Sequence, residues 1–142
     1  MNFAPHTRRA LTRAGLAAIF AVLSLTACGE KTPSLPMSTT YTFSVATPEI
    51  AADVDTNVDI RLVHKATGKP VAGAVIFETR FDMEPDGMGG MEAQATPMGS
   101  PEPGLYRFKL RPTMTGRWAL KLSAKVQGEA ETVRGVVVIT AH

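Results

Sequence analysis

Beyond residue 40 the chain alternates apolar and polar residues with a period of two, the mark of half-buried β-strands. In Tyr41–Ala46 the apolar set is Tyr41, Phe43 and Val45. In Asn57–His64, Val58, Ile60 and Leu62 point one way and Asp59 and Arg61 the other. In Ala74–Asp82, Val75, Phe77, Thr79 and Phe81 alternate with Ile76, Glu78 and Arg80. Met91–Thr96 is a short fourth strand, and Leu105–Leu110 a fifth with Tyr106, Phe108 and Leu110 inward. Trp118–Val126 turns Trp118, Leu120, Leu122, Ala124 and Val126 inward; Trp118 reads as core packing, not as a stacking platform for a ligand. The seventh, Val133–Thr140, contains a run apolar on both faces, Val136-Val137-Val138-Ile139, so alternation cannot set its register.

Turn-forming clusters separate these segments: Ala66–Pro70, Gly89-Gly90, Ser100–Gly104, Pro112–Gly116 and Gln127–Glu129. Seven short strands at this spacing, with no convincing helical period, predict an all-β, antiparallel seven-stranded sandwich.

The N-terminus follows a different rule. Arg8, Arg9 and Arg13 precede an apolar stretch, Leu16–Leu25, which ends in Leu25-Thr26-Ala27-Cys28. That order is expected of a lipoprotein signal peptide over residues 1–27, with Cys28 as the lipidated first residue of the mature chain. The apolar stretch is short for a spanning helix. Arg8-Arg9 leaves twin-arginine and general export both open. Residues 28–40, polar and broken by Pro33 and Pro36, read as a flexible tether, and residues 41–142 as the folded domain. The expected location is the periplasm-facing envelope. Gly29 after the cysteine favours the outer membrane over the inner.

The signal segment also corrects the impression given by a pI of 8.9: from Cys28 onward there are 12 Lys and Arg against 13 Asp and Glu. With no basic cluster and no interleaving of aromatics with Arg or Lys evident in the chain, nucleic acid is not an expected partner. Cys28 is the only cysteine, so no intramolecular disulfide can form.

The chemistry gathers in Phe81–Met98, FDMEPDGMGGMEAQATPM, with four of the seven methionines. A thioether is a soft, uncharged donor suited to Cu(I), and it needs no deprotonation. Gly87, Gly89 and Gly90 would let the backbone fold tightly around an ion. The same residues could equally cap the hydrophobic core, since methionine fills irregular gaps. Elsewhere the inventory is thin. His64 and His142 are the only histidines after Cys28, so neither a nucleophilic triad nor a catalytic zinc site is expected, and the protein is not expected to be an enzyme. Glu84 with Asp86, and Glu129 with Glu131, lie in polar turns and read as solvated. Asp53, Asp55 and Asp59 lack the spacing of a calcium loop.

Leu62–Val75, LVHKATGKPVAGAV, looks like a corner of small bacterial immunoglobulin-like domains. Taken with the Met-rich loop, Pro103–Tyr106 and Thr115–Leu120, it resembles the YtkA-like domain family, related to the FixH-like proteins, over Tyr41–Thr140. The resemblance implies an Ig-like sandwich in a small exported or membrane-tethered protein without assigned catalysis. Many members stand beside copper-handling or oxidase-assembly systems. Met83, Met88 and Met91 occupy the place of the family's methionine motif; the histidines that sometimes accompany it are missing from this loop, which favours Cu(I) over Cu(II) or Zn(II).

If the third strand ends at one end of the sandwich, the fourth descends and the fifth returns. Met114, in the turn after the fifth, then joins Met83, Met88 and Met91, while Met98 and His64 lie at the opposite end. The candidate site is therefore Met83, Met88, Met91 and Met114. If the fourth segment is not a strand, the order inverts and Met114 joins His64 instead; His142, the last residue, could reach either end. Two functions follow: a lipid-anchored module that handles Cu(I) for an efflux or assembly partner, or an adaptor that docks on an envelope protein without metal.

Overall fold

The computed structural model describes residues 36–142, which lie within one compact unit, Pro33–His142. The signal segment, Cys28 and most of the tether fall outside the described residues. The elements are β1 (Tyr41–Val45), β2 (Glu49–Ile50), β3 (Thr56–His64), β4 (Val75–Met83), a 3₁₀ turn (Glu84–Asp86), β5 (Met88–Glu92), β6 (Gln94–Gly99), β7 (Leu105–Arg111), β8 (Gly116–Lys125) and β9 (Val133–Ala141). They form a four-stranded sheet, β1-β3-β7-β6, and a five-stranded sheet, β2-β9-β8-β4-β5. The first order is that of one immunoglobulin sheet, and the β9-β8-β4 centre is that of the other.

Nine strands replace the expected seven, for two reasons. The edge strand breaks after Val45, and the chain crosses to the other sheet, where Glu49 and Ile50 pair in parallel with Thr140 and Ala141. This is an exception to an all-antiparallel sandwich. The expected strand Met91–Thr96 is in fact the end of β5 and the start of β6, which belong to different sheets. Serving both lets one segment extend both sheet edges.

Alternation placed the inward residues correctly wherever a strand is regular. Val58, Ile60, Leu62, Phe108, Leu110, Leu120, Leu122 and Trp118 are buried, and the ring of Trp118 lies 5.0 Å from that of Phe81. It failed in β4, where the pairing with β8 jumps from Ile76↔Ala124 to Glu78↔Ser123. Phe77 is the extra residue of a β-bulge, which reverses the parity of the strand. Val75 and Phe77 are therefore 63% and 58% exposed, while Phe81 is buried.

Two long-range contacts fix the remaining geometry. In β9, Gly135 faces Phe43, whose Cδ2 lies 2.2 Å from where a β-carbon at residue 135 would stand. This close approach fixes which side of the doubly apolar run turns inward: Val133, Val137, Ile139 and Ala141 are buried. At the opposite end from the Met-rich loop, the Tyr106 hydroxyl donates to the Val71 carbonyl (2.8 Å) and accepts from the Ala74 N–H (2.9 Å), pinning the β3–β4 corner.

Candidate functional site

Met83 ends β4, and its Cα partner on β5 is Met88. On the other side of β4 lies β8, where Gly116 has φ +134° and its α-carbon faces the Met83 methyl; a β-carbon there would stand 2.5 Å from Cε. Only glycine fits that conformation and that gap. Met114 precedes Gly116 by two residues, and its carbonyl accepts from the Trp118 indole N–H at 3.1 Å. Met88, Met83 and Gly116 thus stand on three adjacent strands at one end of the five-stranded sheet, with Met114 in the corner beside them.

The four methionines differ in access. Met83 is 1% exposed and completes the core, whereas Met88, Met91 and Met114 are 40%, 43% and 39% exposed. Met91 lies in a distortion: Met88 and Glu92 pair with the adjacent residues Met83 and Asp82, so Gly89, Gly90 and Met91 have no counterparts on β4. Met98 lies on β6 between Pro97 and Gly99, which pair with Phe108 and Arg107 towards the other end of the sandwich. His64 is there too, edge-on to Tyr41 at 5.2 Å. His142 follows Ala141, the Cα partner of Gly116, which puts it at the methionine end. Its backbone is held by Ile50 and Ala52.

What holds the β5 ribbon in place is ionic, and the sequence reading missed it. Asp82 is fully buried yet points to the outer face of the sheet. Its carboxylate accepts from Arg80 Nε (2.7 Å), Lys121 Nζ (2.8 Å) and the Glu84 N–H (3.1 Å). Arg80 reaches on with Nη2 to the Gly89 carbonyl and the Glu92 carboxylate, both at 2.8 Å. Lys121 also pairs with Glu84. Burial acts to raise the Asp82 carboxyl, but the Lys121 hydrogen bond, the Glu84 N–H and the charges of Lys121 and Arg80 outweigh it, leaving it below the usual carboxylate range. For Lys121 burial works downwards, and the hydrogen bonds to Asp82 and Glu84 carry it above the ordinary lysine value.

A second clamp holds the turn. The Asp86 carboxylate accepts the Arg117 N–H at 2.6 Å and Arg117 Nε at 2.8 Å, while Arg117 Nη2 donates to the Pro85 carbonyl at 2.8 Å. The Arg117 backbone N–H, then its guanidinium, hold the Asp86 carboxyl below its usual range. Asp86 and Glu84 are therefore not the freely solvated pair expected from their turn, and Glu129, also read as solvated, accepts from the Tyr41 hydroxyl at 2.6 Å. The available sequence signal for the main network was Arg80-x-Asp82, two residues on one face of a strand; nothing local pointed to Lys121 or Arg117.

Among the described residues no group of three or more His, Cys, Asp or Glu side chains is arranged to hold a metal ion. Asp59 of the trio considered for calcium is instead bound in bidentate fashion by Arg107, Nε at 2.7 Å and Nη2 at 2.8 Å. The thioethers of Met88, Met91 and Met114 share this end with the carboxylates of Glu84, Asp86 and Glu92, which are paired with Lys121, Arg117 and Arg80.

Away from this end, Val75–Arg80 has β8 on one side and no strand on the other, because β5 covers only Asp82 and Met83 and β6 has left for the opposite sheet. A cleft of about 200 Å³ opens between the two edges, with Ala74 and Ile76 on one wall, Pro97 and Gly99 on the other, and Tyr106 and Phe108 at its base. Among the described residues no helix is long and apolar enough to cross a membrane.

No curated protein matches this chain. Among solved structures, the crystal structure of the Lin-41 filamin domain is similar at 17% identity and a TM-score of 0.42, covering 72% of this chain and 97% of that one. The model of the YtkA-like family matches residues 37–123, from just before β1 almost to the end of β8. The chain belongs to the YtkA-like family.

Proposed function

We propose that this domain is a non-catalytic soft-metal module, tethered to the envelope through Cys28, whose methionine end takes up and hands on Cu(I). The observation that carries the reading is the meeting of Met88, Met83 and the Met114 corner on adjacent strands, with three of the four thioether side chains partly open to solvent. A thioether binds without losing a proton, so capture requires no titration near neutral pH. The ion here is cargo, and exposed ligands suit transfer to a partner. Met83 lies beneath them and lends the site an apolar floor.

Anaerobic titration of Pro33–His142 with Cu(I) against a competing chelator tests this. Stoichiometric binding is expected, with loss in the variant combining Met88→Leu, Met91→Leu and Met114→Leu. Competition no better than buffer for the parent domain removes the copper reading. Acyl-chain labelling of the full chain in cells, with Cys28→Ala as comparison, tests the tether separately.

A second reading has its own support. The open edge of β4, with Val75 and Phe77 exposed beside the cleft, suits addition of an extended segment of an envelope protein as a further strand. In that adaptor, Phe77→Ser abolishes partner capture and the methionine variants leave it unchanged.

A further inference from the structure

The outer face of the four-stranded sheet is basic, although residues 36–142 as a whole carry 11 Lys and Arg against 12 Asp and Glu. The source is β7, Leu-Tyr-Arg-Phe-Lys-Leu-Arg, where aromatics and cations do interleave, contrary to the expectation from the chain as a whole. Tyr106, Phe108 and Leu110 go into the core, so Arg107, Lys109 and Arg111 project outward, spaced roughly 7 Å apart along the strand. Arg61 joins them from β3, where it is the Cα partner of Leu105.

Their cross-strand neighbours leave this charge uncompensated. Lys109 lies between Asn57 and Thr96, Arg111 beside Gln94, and Arg61 beside Ser44. The one carboxylate on the face, Asp59, is consumed by Arg107. Arg61, Lys109 and Arg111 make no side-chain hydrogen bond or ion pair among the described residues. Asp53, Asp55 and Glu102 lie in the turns at the ends of the strands and not on the face. Three unpaired cations therefore share a shallow surface on a domain whose remaining charge is negative.

We infer that this face docks on an anionic phospholipid surface. A planar array of phosphates matches an open sheet face. A stable protein interface would need a desolvated apolar or aromatic centre, whereas the cross-strand partners of these cations are Ser44, Asn57, Gln94 and Thr96, with Leu105 alone among them apolar, and the Asp59–Arg107 pair lies between. Single-stranded nucleic acid would need aromatics to stack upon, and Tyr106 and Phe108 are turned inward. The attraction is long-range and weak per charge, about fivefold in partitioning per cation near an anionic membrane. It does not depend on lipidation of Cys28 or on metal at the methionine end. An anchor would only raise the local concentration of the face.

The test is sedimentation of Pro33–His142, whose core is complete within it, with vesicles of phosphatidylcholine alone or mixed with phosphatidylglycerol. Binding to the mixed vesicles only is expected. It should fade as salt shortens the screening length to about 3 Å at 1 M. The variant combining Arg61→Ser, Lys109→Ser and Arg111→Ser should lose about a hundredfold, from three factors of about five. Lys125→Ser, on the other sheet, should bind like the parent. Thermal melts confirm that the variants fold. Absence of binding to the anionic vesicles, equal binding to neutral ones, or no loss in the folded triple variant overturns the inference. Binding to polyglutamate but not to vesicles likewise overturns it and assigns the face to an acidic protein.

Discussion

The Asp86 carboxylate grips Arg117 twice, at the backbone N–H and at Nε, across 31 residues of sequence. That grip joins the turn after β4 to the first residues of β8, and so brings the Met88 ribbon and the Met114 corner to one end of the sandwich. Asp86→Asn keeps the shape of the acceptor but removes its charge. Faster hydrogen exchange at the Arg117 amide and at residues 87–91 is expected, with the β7 core amides unchanged. Uniform exchange rates in parent and variant would show that the corner is held by packing alone.

Asp82 is the larger structural commitment. Asp82→Ala leaves Arg80 and Lys121 without their shared acceptor and the Glu84 N–H without its partner. Both cations keep partial access to solvent, which softens the loss. A destabilisation of about 2–3 kcal/mol is expected in urea unfolding, and the β5 ribbon should lose exchange protection first. Arg80→Met should loosen the ribbon with a smaller effect on global stability, because it removes the tie to the Gly89 carbonyl and leaves the Asp82–Lys121 pair in place.

The pH response has a definite sign. Asp59, Asp82 and Asp86 all titrate below their ordinary values in the fold. For Asp59 the Arg107 hydrogen bond is the main cause, opposed by burial. Folded values below unfolded ones mean that the stabilisation is fully present above the unfolded carboxylate range, about pH 4, and declines as pH falls through the folded values. Urea midpoints should be flat from neutral pH to about pH 5 and drop below about pH 4. Asp59→Asn should shallow that drop.

Met83→Leu conserves volume in the core and is expected to cost under about 1.5 kcal/mol. Trp118→Ala should cost about 3–5 kcal/mol, because it empties the ring's place against Phe81. The contrast, read by denaturant midpoints, keeps any loss of Cu(I) binding in the methionine variants separate from unfolding.

Gly135→Ala places a methyl group against the Phe43 ring and forces β1 or the ring to move. About 1–3 kcal/mol of destabilisation is expected. A paired Phe43→Leu change should recover part of it if the clash is the cause.

The period-two pattern settled a good deal without any structure. A strand buried on one face must alternate, so the inward residues of β3, β7 and β8 could be read directly from sequence. Turn chemistry likewise marked most connections. Counting strand directions also put Met114 at the same end as Met83 and Met88, because β5 and β6 run on in one direction and together act as the single descending strand that the count needed.

What the sequence could not supply came from relationships without a local signature. The bulge at Phe77 is one residue too many in a pairing, visible only against β8. The division of Met91–Thr96 between two sheets depends on where β4 and β7 lie. Asp82 looked like any outward strand residue until Lys121, 39 residues later, closed on it. The basic face arises because β3 and β7 are neighbours in space, and because burial of Tyr106 and Phe108 turns every intervening cation outward. Sequence determined the faces of the strands through hydrophobic burial; tertiary structure alone decided which charges meet, because an ion pair selects its partner by distance in space and not by separation along the chain.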